Sequence, residues 1–149
     1  MPGSNYSQQP LFPFIGATKN ASGVITLSPV TLTGTASDNR AQIDVDGQVQ
    51  TVLYIRYITG AGGSNTVLNM TVDYSPDGTL FYQEVSEESS STAITEYIVP
   101  RKFTGAAAGT TYSFRVPIPV ADIKKLRIAF AETNQTNFGT VSCLVVTSG

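Results

Sequence analysis

The sequence predicts an all-β fold: an antiparallel β-sandwich, jelly-roll-like, forming a single domain with an extended N-terminal arm. Three observations predict it. Apolar and polar residues alternate with a period of two, as in Leu68, Met70, Val72 and Tyr74 set against Val67, Asn69, Thr71 and Asp73, the pattern of a strand with one buried face. Such segments are short and evenly spaced, with Gly, Pro, Asn and Asp between them. No segment with a 3.6-residue period reaches ten residues, so no helix has an apolar stripe long enough to pack.

Residues 1–15 form the predicted arm and residues 16–149 the sandwich domain. Pro2, Pro10 and Pro13 interrupt regular structure and hold the backbone extended. The arm also carries Tyr6, Leu11, Phe12, Phe14 and Ile15, too apolar a set for a plain linker, and these are the candidate protein-interface residues. Three placements fit: packing on its own sandwich, reaching a neighbouring subunit, or remaining disordered. Fully extended, such an arm spans up to about 50 Å.

Gly23–Leu27 and Pro29–Thr33 read as short strands, with Pro29 at a strand start or edge. Ala41–Val45 leads into Asp46-Gly47, a two-residue hairpin signal. Val49–Ile58 places Leu53, Ile55 and Tyr57 on one side and Val52, Tyr54 and Ile58 on the other, as in a central strand covered on both faces. After the loop at 60–65, the strand ending at Tyr74 turns through Ser75-Pro76-Asp77-Gly78 into Leu80-Phe81-Tyr82, a hairpin. Residues 87–91 read as a polar loop, Thr92–Val99 as a strand ended by Pro100, and Gly105–Gly109 as a small-residue turn. Tyr112, Phe114, Val116 and Ile118 line one face of the next strand, and Pro117 and Pro119 place its far end at an edge. Val120–Ile123 suggests a single helical turn. Leu126, Ile128 and Phe130 mark another strand, and Val141–Val146 closes the domain.

A chain of 149 residues fits one domain and buries about 70% of its unfolded surface. Charged residues make up 13%, about half the usual ~25%; small polar residues replace them and can be covered without burying ions. The net charge is −2, and Lys and Arg cluster only at Arg101-Lys102 and Lys124-Lys125. Nucleic-acid binding therefore lacks its electrostatic driver, and no nucleic-acid partner is expected. No apolar run approaches the roughly 18 residues of a membrane span, so no membrane partner is expected. No secretory leader pattern is visible at the N-terminus. Cys143 is the only cysteine, which excludes an intrachain disulfide; in its apolar strand it packs as a small hydrophobe.

Catalytic patterns are missing. Without histidine there is no Ser-His-Asp triad. No Ser-x-x-Lys occurs, and the glycines at 60–63 lead into neither a lysine nor a helix start. Asp44 and Asp46 resemble the start of a calcium loop, but no Glu follows at the twelfth position, and turn capping is the simpler role. The tyrosines suit core packing with the hydroxyl reaching a partner; a sugar-stacking platform is the alternative. The expectation is a non-enzymatic protein with no catalytic, metal or cofactor-binding residues and no cofactor.

Leu53-Tyr54-Ile55-Arg56-Tyr57, then Val72 through Glu84 with its Ser-Pro-Asp-Gly turn, then Phe103 through Pro119, resemble in strand-and-turn texture the small β-sandwich structural proteins of tailed-bacteriophage virions, especially capsid decoration (cement) proteins. The likeness spans roughly residues 50–147; tail-associated and neck proteins share the texture. The resemblance implies a sandwich made in the host cytoplasm that trimerises on the outer capsid surface. There it clamps neighbouring capsomers, with the major capsid protein and its own copies as partners and the arm as an inter-subunit contact. Tyr74-Ser75-Pro76-Asp77-Gly78 is also similar to a hairpin of discoidin-type, galactose-binding-like sandwiches, although the Trp usual near Phe81 is absent. That second likeness implies the alternative function, a carbohydrate- or receptor-binding module of a phage tail or fibre.

Overall fold

The computed structural model describes residues 11–63, 66–86, 97–98, 101–104, 108–133 and 135–149. Its strands, in chain order, are Phe12–Ile15 (β1), Ala17–Lys19 (β2), Ile25–Leu27 (β3), Val30–Thr31 (β4), Arg40–Asp44 (β5), Gln50–Ile58 (β6), Val67–Ser75 (β7), Tyr82–Gln83 (β8), Val85–Ser86 (β9), Tyr97–Ile98 (β10), Arg101–Thr104 (β11), Thr111–Pro119 (β12), Lys125–Thr133 (β13) and Thr140–Ser148 (β14). One 3-10 turn, Ala36–Asn39, precedes β5. The loop predicted at 87–91 and most of the strand predicted at 92–99 lie outside the described residues.

Two antiparallel sheets face each other. The first runs β1-β14-β6-β12, with β4 beside β1 on the same edge of β14; the second runs β11-β7-β13-β5, with β8 beside β11 on the same edge of β7. Numbering the eight principal strands (β1, β5, β6, β7, β11, β12, β13, β14) along the chain, the first sheet reads first-eighth-third-sixth and the second reads second-seventh-fourth-fifth. Every successive connection except that between β7 and β11 crosses from one sheet to the other. This is jelly-roll wiring, and the predicted all-β sandwich is the fold observed.

Period-two alternation sets the core. Leu53, Ile55 and Tyr57 of β6, Val141, Cys143 and Val145 of β14, and Val116 and Ile118 of β12 face Leu68, Met70 and Val72 of β7 and Leu126, Ile128 and Phe130 of β13. Phe103 of the second sheet stacks on Phe114 of the first at 4.5 Å between ring centroids, linking the outermost strands β11 and β12 across the two sheets. As the prolines predict, β12 is an edge strand among the described residues, where it pairs only with β6. Pro117 and Pro119 stand two residues apart, so neither takes a donor from the ladder on the paired side.

Two local expectations are corrected. Asp46-Gly47 is not a hairpin: β5 pairs with β13, whereas β6 pairs with β12 and β14. The turn, closed by Gln48 N–H on the Val45 carbonyl at 2.9 Å, carries the chain between sheets. Turn chemistry specifies a reversal, not the partner of the strand that follows. Residues 120–123 form a turn rather than a helical one: Ile123 N–H reaches the Val120 carbonyl at 3.1 Å, and Asp122 is left-handed at φ 63°, outside the α region. The hairpin at Ser75–Tyr82 is present, with Tyr74 opposite Tyr82 and Asp73 opposite Gln83.

Candidate functional site

The candidate interface residues of the arm take distinct positions. Phe12–Ile15 is the edge strand β1, with Phe12 opposite Val145 and Ile15 opposite Cys143. Ile15 is buried in the core, and Phe12 and Phe14 are half-buried against it. Leu11 is exposed. Tyr6 lies outside the described residues.

Inside the sandwich sits a polar feature the sequence reading did not single out. Continuing the inward row Leu126, Ile128, Phe130 by two residues reaches Glu132, which is fully buried. Three donors converge on its carboxylate. The Tyr57 hydroxyl and the Gly60 N–H (3.0 Å) donate to Oε2, and the Gly139 N–H (2.6 Å) donates to Oε1. Glu132 thereby ties β13 to β6, to the loop after β6 and to the loop before β14. Neither glycine position admits a side chain. A Cβ on Gly139 would stand 2.0 Å from the Ile58 carbonyl oxygen, and one on Gly60 would stand 2.3 Å from that of Asn137. Burial first, and then the hydrogen bond to Glu132, push the Tyr57 hydroxyl well above its ordinary value. Burial alone pushes the Cys143 thiol up to about 12, which leaves it an unreactive neutral group.

The outer face of the first sheet carries the best candidate for recognition. The β14-β6-β12 register places two rows across three strands: Leu144, Tyr54 and Arg115 in one, Ser142, Arg56 and Ser113 in the next. These six residues, with Leu27 of β3 as a rim, line an open depression of about 360 Å³. Tyr54 is 41% exposed and Leu27 39%. Arg56 and Arg115 are exposed, and among the described residues no carboxylate pairs with either. Ser142 is 1% exposed, and its Oγ has no hydrogen-bond partner among the described residues. The sequence reading placed Tyr54 on the second face of its strand and weighed a sugar-stacking role for the tyrosines. Arg115 was legible as an outward position, whereas the strand carrying Arg56 was expected to be covered on both faces and is instead open at Tyr54 and Arg56; only the strand order, set by long-range pairing, makes the two arginines neighbours.

The second sheet's outer face is chemically quieter. Arg127 Nε donates to Asp73 Oδ2 at 2.8 Å, and its guanidinium lies 4.0 Å from the centroid of Phe81, a cation–π arrangement. A depression of about 400 Å³ lined by Asn69, Thr71, Lys102 and Thr133 lies on the same face. Asn69 Nδ2 there donates to Thr133 Oγ1 at 3.5 Å, so part of its polar surface is already engaged. Asp77 caps its turn as a carboxylate should. Oδ1 accepts from Leu80 N–H and Thr79 N–H, each at 2.8 Å, and these bonds hold its carboxyl below the ordinary range. Among the described residues no three His, Cys, Asp or Glu side chains gather as a metal site, and no helix is long and apolar enough to cross a membrane.

No protein-family model matches the chain, and no curated protein matches it in sequence. Solved structures resemble it in shape. The N-terminal CBM22-1–GH10 modules of the Clostridium thermocellum endo-1,4-beta-D-xylanase 10B, complexed with xylohexaose, superpose with a TM-score of 0.50 at 10% identity, covering 95% of this chain and 25% of that one. The infectious bursal disease virus VP2 subviral particle gives 0.44 at 11% identity, covering 95% and 32%. The mannan-recognising carbohydrate-binding module TmCBM27 gives 0.40 at 14% identity, covering 97% and 88%. This chain thus spans about a quarter of the xylanase and a third of VP2. The xylanase likeness shows a shared β-sandwich architecture.

Proposed function

We propose that this protein is a non-enzymatic structural component of a tailed-phage virion, a capsid decoration protein that bridges neighbouring capsomers on the outer surface of the head. The observation that carries the reading is the placement of its exposed apolar side chains. Val24 projects beside β3, Val49 projects between β5 and β6, and Leu80 and Tyr82 project at the β7–β8 hairpin, each more than half exposed. Several separate contact points on a rigid, weakly charged sandwich suit a protein that touches more than one neighbour. Each contact is small, and bridging converts later contacts into intramolecular ones with high effective concentration. A homotrimer would multiply the same gain.

The test is binding of the purified protein to intact and expanded capsids of its own phage, read by co-sedimentation and by capsid melting temperature. Binding should raise the melting temperature, and Leu80→Ser with Tyr82→Ser should weaken it. Absence of capsid binding overturns the reading. Removing residues 1–10 while keeping β1 tests the arm: unchanged capsid binding would show that Tyr6 makes no inter-subunit contact.

A second reading, a carbohydrate- or receptor-binding module of a tail or fibre, is favoured by one specific observation: Tyr54 stands exposed in the depression on the first sheet, beside groups that can hydrogen-bond a sugar.

A further inference from the structure

The geometry points to a binding site for an acidic saccharide in the depression on the outer face of the first sheet, with a uronate carboxylate held between Arg56 and Arg115. The inference rests on the carbohydrate-binding reading and names its ligand class.

Four features carry it. First, two cations stand close together with no anion beside them among the described residues. Arg56 lies opposite Ser113 and Arg115 lies opposite Tyr54, so the two arginines are diagonal neighbours on adjacent strands, about 7–8 Å apart at the backbone. Among the described residues neither has a carboxylate partner, although the protein as a whole is acidic, with a net charge of −2. Two like charges at this spacing repel, and a bound carboxylate relieves the repulsion while accepting bidentate hydrogen bonds from a guanidinium fork. Second, Ser142 lines the same depression. Its Oγ is buried and has no partner among the described residues, and a buried hydroxyl without a partner carries a desolvation cost that a ligand hydroxyl would remove.

Third, the site is half apolar. The Tyr54 ring, Leu144 and Leu27 offer a surface for the C–H face of a pyranose ring, while Ser142 and Ser113 flank Arg56 with hydroxyls. This combination suits a sugar acid better than a bare inorganic anion, which has no apolar face. Fourth, the volume of about 360 Å³ falls at the lower end of small-ligand sites, roughly 300–1,000 Å³. All the polar groups sit on the strands β14, β6 and β12 rather than on loops, so the sheet holds them in fixed register.

The experiment is calorimetric titration of the full chain with four probes: trigalacturonate, a sulfated disaccharide, xylohexaose and a pentaglutamate peptide. Each is measured at low and at physiological salt. Trigalacturonate should bind, and more weakly as salt rises. Arg56→Gln and Arg115→Gln should each reduce its affinity about 10- to 100-fold, the range of a charge-assisted hydrogen bond. Ser142→Ala should reduce it about 3- to 10-fold. Arg56 and Arg115 are exposed, so far-ultraviolet circular dichroism and melting temperature should be unchanged in their variants; Ser142→Ala removes a buried hydroxyl and should leave the melting temperature equal or slightly higher, which separates lost binding from lost folding. Binding of the sulfated probe through the same arginines, with trigalacturonate silent, overturns the carboxylate assignment. Xylohexaose binding as tightly as trigalacturonate, indifferent to both arginine variants, overturns the acidic ligand and leaves the carbohydrate reading standing. Binding of pentaglutamate alone, or of no probe at millimolar concentration, overturns the site as a saccharide site altogether.

Discussion

Replacing Glu132 by Gln is the sharpest test of how the core is held. The substitution keeps the shape and removes one acceptor. Oε2 receives the Tyr57 hydroxyl and the Gly60 N–H, and Oε1 receives the Gly139 N–H. An amide has a single oxygen. With that oxygen at the Oε2 position, the NH₂ faces the Gly139 N–H; with the amide flipped, it faces the Gly60 N–H. Either orientation sets donor against donor at a fully buried site. The loss is one charge-assisted hydrogen bond, and a backbone N–H is left unsatisfied; together these cost about 2–4 kcal/mol. For a domain of this size that lowers the melting temperature by roughly 5–15 °C. Equilibrium urea unfolding measures the difference directly, provided the slope with denaturant is unchanged. Tyr57→Phe removes one donor and should cost about 1–2 kcal/mol. The double variant should cost less than the sum of the two, because both act on one network. A loss below about 1 kcal/mol for Glu132→Gln at unchanged slope would refute the view that Glu132 clasps the three segments.

Alkaline unfolding follows from two buried neutral groups. The unfolded chain releases the Cys143 proton near pH 9 and the Tyr57 proton near pH 10, while the folded chain holds both to higher pH. Their contribution is therefore complete below pH 9 and falls as pH rises, by about 1.4 kcal/mol per pH unit per group. The Cys143 share ends near pH 12. Urea midpoints from pH 8 to pH 11 should show this decline, and Cys143→Ala should remove the part that begins first. Gly139→Ala drives a Cβ to 2.0 Å from the Ile58 carbonyl oxygen and should cost about 3 kcal/mol or more, read as loss of soluble folded protein. Arg127→Ala leaves the Asp73 side chain, 5% exposed, without its cation and should cost about 2–4 kcal/mol by urea unfolding; adding Asp73→Asn should recover part of it. The Asp77 carboxyl should titrate below its ordinary range by NMR, because Leu80 and Thr79 N–H groups hold its charged form, and an ordinary value would contradict that turn geometry.

Strands were legible wherever one face is buried. The alternation through Leu68–Tyr74 and Tyr112–Ile118 reports the inward rows of β7 and β12 because a one-residue slip would expose every apolar side chain. The partners of those strands were not legible. Asp46-Gly47 has the chemistry of a hairpin turn, yet the chain there passes to the opposite sheet, since sheet membership is decided by contacts distant in sequence. Glu132 escaped notice for a related reason. A lone carboxylate in a polar-looking strand end signals nothing until its donors, contributed by residues 57, 60 and 139, are brought to it. The period-two row ending in Phe130 did point inward at 132, which is the signal that could have found it. The outer-face site depends on the same long-range order. Arg56 and Arg115 are far apart in the chain, and only the β6–β12 register sets them side by side.

The jelly-roll wiring has a kinetic corollary. Because six of the seven links between principal strands change sheets, neither sheet can be finished before the other has begun. Loop closure has to precede most of the stabilising contacts, which puts such a chain among slow, millisecond-to-second folders. A cut between any two principal strands leaves both fragments with half-built sheets and unpaired edges. The molecule should therefore assemble and come apart as one cooperative unit, and its useful variants will be point changes rather than excised pieces.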